Sequence, residues 1–127
     1  MSPASGACCT VLAAAFLLCG CVAAPISPDN PKTVRGHPLP PYEVHEECLR
    51  LEQGDRAEFA FESTEPVEFN LHYNEGKTVV MPVVRERSRG DAGVFATPVA
   101  QDYCLMWEAG PAGALLDYRV RLKRRGS

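Results

Sequence analysis

Val67-Glu68-Phe69-Asn70-Leu71-His72-Tyr73-Asn74 places an apolar residue at every odd position and a polar one at every even position. A period of two sends successive side chains to opposite faces of an extended backbone, so this stretch predicts a strand with one buried face. The rhythm recurs upstream, where Ala57, Phe59 and Phe61 alternate with Arg56, Glu58 and Glu62. It recurs again near the C-terminus, where Leu116, Tyr118, Val120 and Leu122 alternate with Asp117, Arg119, Arg121 and Lys123. Weaker strands are expected at 48–52, 78–84, 93–97 and 103–108, giving about seven in all. Gln53-Gly54-Asp55, Thr64-Glu65-Pro66, Asn74-Glu75-Gly76-Lys77, Arg89-Gly90-Asp91 and Gly110-Pro111-Ala112-Gly113 supply the reversals between them. The expected fold is therefore all-β, a small antiparallel β-sandwich. Pro82 cannot donate a ladder hydrogen bond, which places its strand at an edge or across a bulge. Tyr103 and Trp107 share a period with Leu105, and Tyr118 shares one with Leu116 and Val120, so all three aromatics are expected in the core. Met81 and Met106 are likewise read as core filling.

Upstream of the strands the character changes twice. Residues 7–24 carry no charge and centre on Val11-Leu12-Ala13-Ala14-Ala15-Phe16-Leu17-Leu18, the length and composition of a signal-peptide apolar region. Two cleavage readings stand. Leu18-Cys19-Gly20-Cys21 resembles a bacterial lipobox, which would make Cys21 the lipidated residue; Val22-Ala23-Ala24 offers ordinary signal peptidase a site that leaves Pro25 first. Residues 22–42 then hold Pro25, Pro28, Pro31, Pro38, Pro40 and Pro41. Proline at that density reads as an extended tether, able to hold a domain up to ~60 Å from a lipid surface. The expected division is a signal over 1–21, a tether over 22–42 and a globular domain over 43–127.

The six cysteines sort by this division. Cys8, Cys9 and Cys19 leave with the signal and Cys21 is used by lipid, so Cys48 and Cys104 remain as one pair in an oxidising compartment. Closing so long a loop is worth on the order of 4 kcal/mol in the chain-entropy model. Val22 stands where an Asp often holds bacterial lipoproteins at the inner membrane, which favours a periplasmic protein anchored to the outer membrane.

Function classes narrow by absence and by charge. The net charge of -3 gives no electrostatic basis for nucleic acid binding. No serine of the domain sits in a Gly-x-Ser-x-Gly setting, so nucleophilic catalysis has no visible centre and the chain is expected not to be an enzyme. Glu43, His45, Glu46 and Glu47 crowd the domain entrance, but no second histidine lies at a ligand spacing, and no metal or cofactor is expected. His72 is expected on a solvated face. The run Arg119, Arg121, Lys123, Arg124 and Arg125 makes the outer side of the last strand basic, a candidate surface for an acidic partner or anionic lipid. The resulting expectation is a membrane-tethered envelope lipoprotein that binds a protein or surface polymer. The alternative is an inhibitor or accessory of a cell-envelope hydrolase acting through a surface loop, with the charged stretch 85–93 as that loop.

One constellation resembles a known family. Glu47-Cys48-Leu49 opens the domain, Gly93-Val94-Phe95 precedes the sixth strand, and Tyr103-Cys104-Leu105-Met106-Trp107-Glu108 fills it. This is similar to the GOLD domain of secretory cargo receptors, a β-sandwich with one disulfide between an early and a late strand. The resemblance spans residues 47–122. It implies a Cys48–Cys104 bond and a role in binding proteins or lipids.

Overall fold

The computed structural model describes residues 24–127, so Cys21 and the signal segment lie outside the described residues. Six strands follow in chain order: β1 Lys32–Leu39, β2 Val44–Leu51, β3 Arg56–Glu75, β4 Thr78–Ala96, β5 Gln101–Ala109 and β6 Ala114–Lys123. All pairings are antiparallel, in one sheet of order β1-β6-β3-β5-β2 with β4 along the other side of β3.

Strand β3 explains how one sheet makes a sandwich. Its first half pairs with β6 from Arg56 to Ser63, and its second half pairs with β5 from Val67 to His72. Between them Ser63-Thr64-Glu65-Pro66 interrupts the register with β4, and the sheet curls over there. Residues of β5 and β6, which share no ladder, consequently meet face to face: the rings of Trp107 and Tyr118 are 4.6 Å apart, and Phe61 lies 4.7 Å from Phe69. The alternating positions of β3, β5 and β6 fill the core, with Phe69, Leu71, Tyr103, Leu105, Trp107, Leu116 and Val120 at or below 1 % exposure. Offset aromatic contacts of this kind add about 1 kcal/mol per pair beyond the area they bury.

Two mergers and one added strand, β1, turn the expected seven strands into six. The strands expected at 56–62 and 67–74 are halves of β3, and those at 78–84 and 93–97 are the ends of β4. Pro66 reads as a turn but sits in a bend that β4 follows. The stretch 85–93 is accordingly ladder and not a protruding loop: Arg85 pairs with Phe69 and Gly93 with Phe59. Pro82 behaves as expected, since β4 is an edge strand among the described residues and an extra residue bulges between Val80 and Val83.

The tether expectation over 22–42 is corrected. Lys32–Leu39 forms β1 on β6, accommodated by a bulge where Gly36, at φ 64, donates its N–H to Asp117 Oδ1 at 2.6 Å. Ile26 is buried in the core and Ser27 bridges Asn30. The packed domain thus begins by Ile26, because the prolines flank β1 or sit at its exposed edge and leave its paired N–H groups intact. The disulfide is present: Cys48 and Cys104 stand directly opposite each other on the β2–β5 ladder, on its outer face.

Candidate functional site

Three connections converge at one end of the sandwich: the β1–β2 turn 40–43, the β5–β6 turn 110–113 and the bend 63–66 of β3. Backbone hydrogen bonds lock them together. Glu43 N–H donates to Pro40 O at 3.0 Å, Tyr42 N–H to Gly110 O at 3.2 Å, Ala109 N–H to Glu43 O at 2.9 Å and Gly113 N–H to Gly110 O at 3.1 Å. Thr64 Oγ1 accepts from Leu115 N–H at 2.9 Å, tying the bend to β6. Gly113, at φ 66, lets the two turns touch, since a Cβ there would stand 2.7 Å from Leu39 O.

A cleft of about 360 Å³ opens at this end, bordered by Tyr42, Pro66, Glu65, Glu68, Arg87 and Glu108 among others. Among the described residues, the non-glycine positions at positive φ are Tyr42 at 62° and Arg87 at 48°, and both border this cleft. A left-handed conformation costs an ordinary L-residue about 1 kcal/mol, so it persists only where surroundings over-determine it, and such positions concentrate at binding sites. Tyr42 is also 66 % exposed. The geometry therefore holds an aromatic ring out in solvent on a backbone that cannot relax. Arg87 N–H, at the β4 bulge opposite, is held by Glu68 Oε2 at 3.3 Å. The walls are rich in carboxylates, Glu65, Glu68 and Glu108 against the single guanidinium of Arg87.

The basic run lies at the opposite end. Lys123 Nζ is 2.9 Å from Glu58 Oε1, and this hydrogen bond holds the Glu58 carboxyl below its ordinary range. Arg124 donates to the buried Asp55. Burial by itself would raise the Asp55 carboxyl, but bonds from the Glu52 N–H and from Arg124 outweigh it and hold Asp55 below the usual value. Arg125 packs its stem over Gly54. Arg119 and Arg121 project from the outer face of β6 with no ion-pair partner among the described residues. Three of the five cations thus have structural partners and two stand in solvent.

The acidic entrance is divided by strand parity. His45 and Glu47 turn inward, where Tyr118 donates its O–H to Glu47 Oε2 at 2.7 Å. That proton is committed, so His45 Nε2 carries the hydrogen in its 2.9 Å bond to the Tyr118 oxygen. His37 of β1 lies against His45 with ring centroids 4.0 Å apart. Burial, and then the neighbouring His37, lower the His45 pKa; burial and the Glu47 bond push Tyr118 upward. Glu46 turns outward instead, so the four entrance residues do not form one ligand set. The expected solvated His72 is corrected too: its side chain is 12 % exposed and its Nε2 is 3.7 Å from Glu46. Met81 and Met106 are not core residues; Met81 is 49 % exposed and Met106 lies half-buried on the outer face of β5. Tyr103, Trp107 and Tyr118 are core residues as expected.

No family model matches the chain, and no curated protein does. Solved structures do. The periplasmic lysozyme inhibitor of g-type lysozyme from Aeromonas hydrophila, PliG, superposes with a TM-score of 0.57 at 12 % identity, over 73 % of this chain and 86 % of that one. The likeness is one of fold. It covers most of both chains, so the curled antiparallel sheet described above is shared as a whole and not as an isolated hairpin.

Proposed function

We propose that this chain is an exported, non-enzymatic envelope protein that inhibits a peptidoglycan-cleaving hydrolase by docking its Tyr42 end onto that enzyme. The observation that carries the reading is the meeting of Tyr42 and Arg87, both conformationally strained, on one cleft, in a fold shared with a periplasmic lysozyme inhibitor. The physics suits a protein inhibitor. Turns already cross-bonded to one another lose little conformational entropy on docking, and an exposed tyrosine is a preferred anchor for a partner's pocket. The carboxylates around it favour a partner surface that offers lysine or arginine, and steer it at a distance. In this reading the binding surface is the turn cluster at 40–43 and 110–113 with Arg87 across the cleft, and not a protruding loop over 85–93.

The test is lysis of peptidoglycan-bearing cells by g-type, c-type and i-type lysozymes, each titrated with the purified protein. Inhibition of one class near stoichiometric ratio is expected, weakened at least about tenfold by Tyr42→Ala, the loss of one anchor contact. Full lytic activity of all three in excess protein, or unchanged inhibition by Tyr42→Ala, would overturn the proposal.

A second reading is favoured by Arg119 and Arg121, whose side chains stand in solvent, Arg119 at the border of a shallow depression of about 410 Å³ across β1, β6, β3 and β4. In it, the outer face of β6 binds an acidic surface polymer or anionic headgroups. Retention on an anionic matrix that is lost in Arg119→Ala/Arg121→Ala and unchanged in Tyr42→Ala separates it from the first. The chain reaches the envelope through its N-terminal export segment, with lipid on Cys21; the intact mass of the native protein reads out both the cut and the acyl chains.

A further inference from the structure

We propose that reduction of the Cys48–Cys104 disulfide opens a zinc site made of Cys48, Cys104, Glu46 and His72 on the outer face of the sheet. The ladder assembles it. Cys48 stands opposite Cys104 on β5, Cys104 stands opposite His72 on β3, and Glu46 is the next residue along β2 on the same face. One carboxylate oxygen of Glu46 and the two sulfurs lie within 4.8 Å of one another. His72 Nε2 is 3.7 Å from Glu46 Oε1. Because β5 runs between β2 and β3, that contact requires the imidazole to reach across β5, over the strand that carries Cys104.

The histidine is held in the orientation a ligand needs. Its Nδ1 is 2.7 Å from Oδ1 of Asn70, which is itself 7 % exposed. An amide oxygen only accepts, so Nδ1 carries a proton in that bond, which leaves Nε2 as the nitrogen able to bind a metal. A histidine fixed through its second nitrogen by an oxygen acceptor is the arrangement that supports metal ligation. Nε2 and the Glu46 carboxylate face each other across 3.7 Å, a gap that a shared cation can bridge. Two thiolates, an imidazole and a carboxylate match a closed tetrahedral zinc site and disfavour magnesium or calcium, which take oxygen ligands.

The disulfide gates the site, since sulfurs bonded to each other offer no thiolate. Two equivalents of an external thiol supply two electrons: the protein S–S bond breaks, two cysteine thiols form, and the reductant leaves as its own disulfide. Zinc then displaces the two thiol protons to solvent and binds the thiolates. The metal takes over from the covalent bond as the cross-link between β2 and β5.

The experiment titrates zinc sulfate into the oxidised and the reduced protein against a chromophoric chelator, with cobalt substitution to display thiolate charge-transfer absorption. One zinc per chain is expected in the reduced form and none in the oxidised form. His72→Ala should weaken binding by about 100-fold, and Asn70→Ala by about 10-fold through loss of the orienting bond. Emission of Trp107, the single tryptophan, monitors the fold; should reduction unfold the domain, zinc must restore native emission. Equal zinc uptake in both redox states, equal affinity in His72→Ala, or failure of zinc to bind or refold the reduced chain would each overturn the proposal.

Discussion

The two ends of the sandwich are built on opposite terms. At the end formed by the 52–55 turn and the C-terminus, the buried carboxylate is surrounded by donors that stabilise it, although the buried Thr97 hydroxyl has no partner among the described residues. Asp55 is buried but accepts from the Glu52 N–H at 2.8 Å and from Arg124, while Gly54 N–H and Thr97 O, and Thr97 N–H and Asp55 O, each close at 2.9 Å. At the Tyr42 end backbone hydrogen bonds between the turns hold two side-chain-bearing residues at positive φ beside an acid-lined cleft. One end uses its polar contacts to lower the energy of the fold, and the other uses them to keep a strained surface in place. That difference, more than any single side chain, is the ground for proposing the Tyr42 end as the docking surface.

Substitutions at the two ends test this contrast. Cys48→Ser/Cys104→Ser removes the cross-link between β2 and β5 and should lower stability by up to ~4 kcal/mol in urea unfolding, with lysozyme inhibition intact while the domain remains folded. Asp55→Asn should lower stability by about 2 kcal/mol, the value of hydrogen bonds to a charged group, discounted because Arg124 is half exposed. Its pH signature has a definite sign. The folded Asp55 pKa lies below the unfolded value of 3.8, so its contribution is present above that pH and is lost as pH falls through the folded pKa. Asp55→Asn should therefore flatten the acid limb of a stability–pH curve.

Tyr42→Gly should act in the opposite sense, raising stability by about 1 kcal/mol through relief of the left-handed backbone while abolishing inhibition. A destabilised Tyr42→Gly protein would erase the distinction between the ends. The smallest effect belongs to His45. Its folded pKa is lowered by burial beneath the unfolded 6.5, so the unfolded chain takes up protons first as pH falls through 6.5 and stability declines there. His45→Gln should remove that decline from urea midpoints measured at neutral and mildly acidic pH.

Much of this architecture was legible in the residues. The alternation around Phe69 placed the long central strand, the pairing of Cys48 with Cys104 followed from export, and Pro82 announced an edge with a bulge. What escaped was continuity and convergence. Thr64-Glu65-Pro66 looks like a chain reversal, yet β3 runs on through it because β4 follows the same bend. Lys32–Leu39 looks like linker because prolines crowd the stretch around it, yet a Gly36 bulge lets it pair with β6. The Tyr42 cleft depends on the sign of a backbone angle and on two turns almost 70 residues apart by chain position coming into contact. Pro40-Pro41 and Gly110-Pro111 hinted at rigid turns without revealing that they meet. The Glu46, His72 and cysteine group was invisible for a similar reason, since strand register alone brings those positions together.

The burial of Ile26 has a bearing on reach and orientation. Only residues 22–25 separate it from Cys21, a span of at most about 18 Å of fully extended chain. A lipid carried on Cys21 would therefore moor the molecule close against the bilayer instead of letting it range outward. Pro28 and Pro31 border a surface hollow together with Arg121 and Lys123, and these cations suit contact with anionic headgroups. Tyr42 would then be carried on the distal tip, facing whatever enzyme approaches from the cell-wall side.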